Sequence, residues 1–273
     1  MRFRLIAADL DDTLLDENLK ISFRNREAIR KAVDLGVWFI LATGRMFKTS
    51  VPYLADLGLN GDCPLINYHG ALVKTSQSKK IVLHRPLDNE LAIAVAEEAE
   101  RQECHVSLFI DDNLYINAES EYSRYYQSLA RIDLKPVGNL SAFLRQNGAN
   151  PSKMSIIRWD GRIDEIEAGI KGCFGDKISV LQSRPYFLEI TDHKATKGQT
   201  LRWLAEQEGI SSEQVIAFGD GRNDLDMISY AGLGVAVANA CPELLQAADL
   251  VAASNNEDGV AEVIEKYVLG RSE

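Results

Sequence analysis

Three aspartates fall within four residues at Asp9-Leu10-Asp11-Asp12, with Thr13 directly behind them. A second acidic pair, Asp220 and Asp224, lies in the run Gly219-Asp220-Gly221-Arg222-Asn223-Asp224. Asp9 and Asp11 are two apart, so an extended chain presents both on one face, roughly 6–7 Å between Cα atoms. Asp220 and Asp224 are four apart and become neighbours wherever a helix starts. If the two loops meet, several carboxylates share one pocket. Two of them about 5 Å apart repel by roughly 3 kcal/mol at an effective dielectric near 20. Something cationic must then compensate. An oxygen-rich, carboxylate-lined site suits a hard cation, and Mg²⁺ in particular keeps waters and shares itself with substrate phosphate. The plainer alternative for the first cluster is an aspartate cap and turn.

The elements that position these residues are legible around them. Phe3 to Ala8 reads as a buried strand ending at Asp9. Ser22 predicts the N-cap of a helix whose inner face carries Ala28, Ile29, Ala32 and Val33, closed by Gly36. A second buried strand, Val37 to Ala42, runs into Thr43-Gly44-Arg45, and a third, from Pro64, runs into Asn67-Tyr68-His69-Gly70. Near-continuous apolar strands alternating with helices imply a doubly wound parallel sheet covered on both faces, an α/β fold. In such sheets ligands bind outside the carboxyl ends of the strands, where all four polar clusters fall.

The texture changes near Leu83. A long helix at 90–102, short strands at 105–110, 114–117, 154–159, 178–181 and 187–191, and polar helices read as an α+β unit with one exposed sheet face. Buried-strand texture returns at Val215-Ile216-Ala217-Phe218 and Gly234-Val235-Ala236-Val237. The expected organisation is a core from residues 1–83 and 187–273 with residues 84–186 inserted. With 273 residues, two domains are the favoured prior. A formal net charge of −10 argues against a general binder of nucleic acid or of anionic membranes, while leaving room for a local phosphate pocket. Cys63, Cys104, Cys173 and Cys241 form no CxxC pair, which disfavours a zinc cluster and fits a reducing compartment. The apolar run Leu5 to Ala8 is far too short for a signal sequence, and no stretch approaches the ~20 apolar residues of a membrane span. A cytoplasmic monomer is the expectation.

Together these clusters carry a resemblance. Asp9-Leu10-Asp11-Asp12-Thr13-Leu14 resembles the DxDxT signature of the haloacid dehalogenase (HAD) superfamily. Thr43-Gly44-Arg45, Lys197-Gly198 and the Gly219 to Asp224 run resemble its second, third and GDxxND fourth motifs, in order. The tail Ala248-Asp249 through Val260 and the hundred-residue insertion are similar to the Cof-like sugar-phosphatase branch with its type IIB cap. The resemblance implies a Rossmann-like core and a Mg²⁺-dependent phosphatase of small phosphorylated metabolites, sugar phosphates or similar monoesters. Asp9 is then the nucleophile and Asp11 the general acid and base. Asp9, the Asp11 backbone carbonyl and Asp220 hold Mg²⁺, with Asp224 supporting the metal or its waters. Thr43 and the Gly44 amide take the phosphoryl oxygens, Lys197 balances charge, and Asn223 fixes the phosphate or Lys197. Arg45 meets substrate phosphate or forms a surface ion pair. Thr13 braces the loop and Asp12 is a turn residue. His69 stands where the family usually has Asn before Gly-Ala, marking either an altered substrate contact or a tolerated polar swap. Tyr122 to Tyr126 and Ser183 to Phe187 are cap candidates for substrate contact, a half-solvated helix face being the alternative for the former. The alternative functions are a phosphomutase of the phosphomannomutase type and a non-catalytic protein that binds a phosphometabolite.

Overall fold

The computed structural model describes residues 2–59 and 61–270. The chain divides into two compact units, Met1–Leu83 with Thr196–Glu273, and His84–Ala195. The first stretch supplies strands β1 (Leu5–Ala8), β2 (Trp38–Ala42), β3 (Pro64–Asn67), β4 (Leu72–Thr75) and β5 (Ile81–His84), with helices α1 (Phe23–Asp34) and α2 (Phe47–Asp56) between them. The Ser22 side chain accepts the Asn25 amide at 3.0 Å to start α1, and Gly36 (φ +86°) follows its end.

The second unit contains α3 (Asn89–Arg101), β6 (His105–Ile110), β7 (Asn113–Ile116), α4 (Glu121–Ala130), β8 (Leu134–Pro136) and α5 (Leu140–Asn147). It continues through β9 (Lys153–Ile157), α6 (Ile163–Phe174), β10 (Ile178–Arg184) and β11 (Phe187–Asp192). The chain then returns to the first unit with α7 (Lys197–Gln207), β12 (Val215–Gly219), α8 (Leu225–Tyr230), β13 (Leu233–Val237), α9 (Pro242–Ala247), β14 (Leu250–Ala252) and α10 (Gly259–Tyr267).

The first unit is built on an eight-stranded sheet in the order β14-β13-β12-β1-β2-β3-β4-β5. From β14 to β3 the pairing is parallel, and β4 turns back antiparallel on β3. Successive strands run outward from β1 in one direction through β3, and in the other from β12 through β14. The order therefore reverses between β1 and β12, which is where an open α/β sheet leaves a crevice at its carboxyl ends. Leu5 pairs with both Val215 and Trp38, and Ala8 with both Phe218 and Leu41, so the three strands end level. All four residues of β1 are fully buried, as a central parallel strand requires.

The second unit has a six-stranded sheet, β10-β11-β9-β6-β7-β8. One face, with Val106, Leu108, Met154, Ile156, Leu188 and Ile190, packs on helical residues including Val95, Leu144 and Ile166. Its other face is not open, against the sequence expectation. Ser107, Phe109 and Ser155 are fully buried there, and α4 lays Tyr122 on His105 and Tyr126 on Phe109. The expected boundary at residue 186 is also displaced. β11 pairs with β10 on one side and β9 on the other, so the unit extends to Ala195. Those antiparallel partners keep the strand in the α+β unit, with whose strands the sequence already groups residues 187–191, and carry the boundary past it. Among the described residues no helix is long and apolar enough to cross a membrane.

Candidate active site

Asp9 is the first residue past β1. Its amide donates to the Phe218 carbonyl at 3.0 Å, which pins the end of β1 to β12, and the residue is only 5% exposed. Asp12 follows with φ +58° and lies exposed, as a turn residue does. Thr13 is fully buried and donates its hydroxyl to Asp220 Oδ1 at 2.8 Å, so it braces the β1 loop against the β12 loop.

Lys197 opens α7 behind the N-cap Thr196, and its side chain is wholly buried. Nζ donates to Asp9 Oδ1 at 2.5 Å and to Asp224 Oδ1 at 2.6 Å. Lys194, three residues earlier, is exposed and belongs to the other unit. Asp224 is fully committed: besides Lys197, its Oδ2 accepts the Asp220 and Gly221 amides at 3.2 and 3.1 Å. Asn223 is not a partner of Lys197, and its side chain crowds Gly221 instead.

Carboxylate oxygens of Asp9, Asp220 and Asp224 lie within 4.8 Å of one another. Three carboxylates against one ammonium leave two uncompensated negative charges if all are ionised. Burial holds the Asp9 carboxyl well above the usual carboxylate range, with Lys197 opposing and Asp224 and Asp220 adding to it. Burial, and then the charge of Asp224, pushes Asp220 up to about 7. Burial works against the charged form of Lys197, but Asp224 and Asp9 outweigh it and raise its pKa. An all-oxygen donor set with two surplus negative charges fits a hard divalent cation. Because both oxygens of Asp224 already accept hydrogen bonds, Asp9 and Asp220 are the carboxylates left to hold one directly.

The second cluster is held beside the first. Thr43 is buried, its amide donates to Ile66 O at 2.8 Å, and its hydroxyl accepts the Arg45 amide at 3.1 Å. Arg45 does not stand free. Nε donates to Asp11 Oδ2 at 2.7 Å, Nη2 donates to Asp11 Oδ1, and Nη1 donates to the Tyr53 hydroxyl at 3.1 Å. Burial opposes the Arg45 charge, yet Asp11 raises its pKa. The Asp11 side chain is thus turned to Arg45 and stands outside the Asp9, Asp220, Asp224 group. His69, with φ +57°, donates its amide to Thr43 O at 3.1 Å and lays its ring on Gly44.

Residues 6–264 match the haloacid dehalogenase-like hydrolases. The chain belongs to that family. A hydrolase of this family from Bacteroides thetaiotaomicron superposes with a TM-score of 0.86 at 31% identity, covering 97% of this chain and 99% of that one. The YxeH protein of Bacillus subtilis (strain 168) is 32% identical over 278 residues, 98% of this chain and 100% of YxeH. A phosphoglycolate phosphatase of Methanobrevibacter smithii is 30% identical over 270 residues, 98% and 100% of the two chains.

Three participants in this hydrolase's site are not evident from its motifs. Asp226 accepts the Gly198 amide at 3.0 Å and fixes the start of α7. Tyr53 holds the third nitrogen of Arg45. Ser50 accepts on Oγ from Asn67 at 2.7 Å, and Asn67 also donates to the Arg45 carbonyl at 3.2 Å, tying β3 to the Thr43 loop. The spacing Asp224-Leu225-Asp226 is a signal for the first, since residues two apart at a helix start point to different faces. Nothing in sequence order links Tyr53 or Ser50 to the strand ends.

Proposed function

We propose that this hydrolase is a Mg²⁺-dependent phosphatase of small phosphorylated metabolites that works through an aspartyl-phosphate on Asp9. One observation carries the reading. A buried carboxylate at the switch point of the sheet is steadied on one oxygen by Lys197 and shares its pocket with Asp220 and Asp224. Its Oδ2 is left to attack. The names of relatives, phosphoglycolate phosphatase among them, point to the same chemistry.

In the first half-reaction an Asp9 oxygen bonds to phosphorus and the bond to the leaving oxygen breaks. The leaving oxygen takes the bonding electrons and a proton from Asp11. In the second half, Asp11 takes a proton from water, the water oxygen bonds to phosphorus, and the Asp9–phosphorus bond breaks. The net change is phosphomonoester plus water to alcohol plus phosphate. Thr43 and the Gly44 amide donate to the equatorial oxygens, while Lys197 keeps Asp9 aligned. Asp9 and Asp220 would hold the Mg²⁺, which when bound would supply positive charge against the nucleophile and the phosphoryl group.

Phosphate release from a panel of phosphorylated metabolites tests the reading, run with Mg²⁺ and with chelator. Release that requires the metal and drops by about 10³-fold or more in Asp9→Asn is the expected result. No release from any member, with or without a bisphosphate activator, overturns it.

A further inference from the structure

Asp11 and Arg45 present a conflict. A general acid and base must aim an oxygen at the leaving group, yet both oxygens of Asp11 accept from the Arg45 guanidinium. We propose that Arg45 is a positioning residue that exchanges Asp11 for the phosphoryl group of the substrate, so that phosphate arrival releases Asp11 for proton transfer. The inference rests on the phosphatase reading above.

Three features support an exchange over a fixed pair. The planar fork of arginine matches a carboxylate and a phosphoryl group equally well, with two parallel donors in each case. Arg45 directly follows Thr43 and Gly44, so its side chain pivots from the loop proposed to take the phosphoryl oxygens. The pair is also easily broken. The Asp11 side chain is 41% exposed and that of Arg45 23%, whereas the Lys197 pairs are wholly buried. A half-solvated ion pair is worth far less than the penalty of splitting a buried one, so a dianion can compete for Arg45 but not for Lys197. Tyr53 completes the device. Its hydroxyl holds Nη1 and its ring lies 5.2 Å from the guanidinium carbon, which tethers Arg45 on the side away from Asp11. Arg45 can thus swing between partners without leaving the site.

A double-mutant cycle on the binding of inorganic phosphate, titrated calorimetrically into the full chain with Mg²⁺, tests the exchange. Asp11→Asn removes the competitor and leaves Arg45 for phosphate, so affinity rises by about tenfold. In an Arg45→Met background the same Asp11→Asn change yields twofold or less, and Arg45→Lys, unable to span two oxygens, gives an intermediate gain. Removing a negative charge helps an anion bind by the field alone, and that effect needs no Arg45. An equal gain in both backgrounds therefore overturns the exchange, as does no gain in Asp11→Asn or no phosphate binding by any variant. The cycle measures binding, not turnover. Intact phosphate release with a failed cycle sinks only the exchange, whereas no release from any metabolite sinks the phosphatase reading and release that survives Asp9→Asn sinks its aspartyl-phosphate.

Discussion

Two ion pairs of the same chemical kind lie in this site, and their surroundings make them opposites. Lys197 sits fully buried between Asp9 and Asp224, and removing its charge leaves those two carboxylates, with Asp220 beside them, in low dielectric with no counter-ion. Lys197→Met should therefore destabilise the metal-free protein by about 3–5 kcal/mol. Arg45→Met, in a half-solvated pair, should cost under about 1 kcal/mol. Urea denaturation of both variants in chelator checks the contrast. Equal losses would mean that the carboxylates around Lys197 take up protons, as burial favours, or are hydrated, so that no unpaired charge remains. Lys197 was legible because it precedes a glycine at the head of a helix. The reason for that glycine was not: a Cβ on Gly198 would come 2.4 Å from the Asp226 backbone, a contact only the fold reveals.

Between the residues and the fold stands the turn from β3 to β4, which ties the proposed phosphate loop to α7. Tyr68, His69 and Gly70 all have positive φ, at +50°, +57° and +111°. Two side-chain-bearing residues in succession there represent stored strain, held by what surrounds them. Thr200 donates its hydroxyl to Gly70 O at 2.9 Å, and a Cβ on Gly70 would lie 2.3 Å from Thr196 O. Gly70→Ala should push α7 away and cost about 2–4 kcal/mol together with most phosphate release, read by thermal melting and the release assay. On the other side of the turn, a Cβ on Gly44 would meet the His69 ring at 2.3 Å. Gly44→Ala should lower release about tenfold or more, and adding His69→Gly should restore much of it, because that clash is with a removable ring. Failure of the rescue would show that Gly44 is needed for the ligand rather than for His69. The strand ends themselves were readable from sequence, since buried runs stop abruptly at Asp9, Thr43, Asn67 and Gly219. The meeting of Arg45 with Asp11, 34 residues away, was not, because side-chain pairing across loops leaves no periodic trace. The boundary drawn at residue 186 fell short for a related reason: strand pairing sets where a unit ends, and β11 lies between β10 and β9.

At the scale of the whole molecule, the two units carry buried groups that titrate in opposite senses. In the second unit His105 is 5% exposed, its Nδ1 faces Ser120 Oγ at 3.2 Å, and its Nε2 is buried without a hydrogen-bond partner. Burial lowers its pKa from 6.5 to about 4. The unfolded chain therefore takes up a proton below pH 6.5 that the folded unit refuses until about pH 4. Its stability is full above pH 6.5 and falls by roughly 3 kcal/mol as pH drops to about 4. In the first unit, Asp220 is raised from 3.8 to about 7, so the folded state holds a proton that the unfolded chain has lost. That contribution is present below pH 4 and is lost as pH rises towards 7, by at most roughly 4 kcal/mol in metal-free protein. Acidification from pH 7 to 4.5 should thus weaken one core while relieving the other. Calorimetry in chelator checks this through two variants. His105→Phe, which keeps the ring stacked on Tyr122, should remove the acid-side loss. Asp220→Asn should remove the neutral-side loss, and so should Mg²⁺ added at pH 7, because a cation bound to the folded state stabilises it by mass action. If Mg²⁺ leaves the melting of the wild type unchanged at pH 7 while Asp220→Asn raises it, the acidic pocket is a source of repulsion but not a cation site. The role assigned to Asp220 would then fall, and the nucleophilic role of Asp9 would have to stand on Lys197 alone.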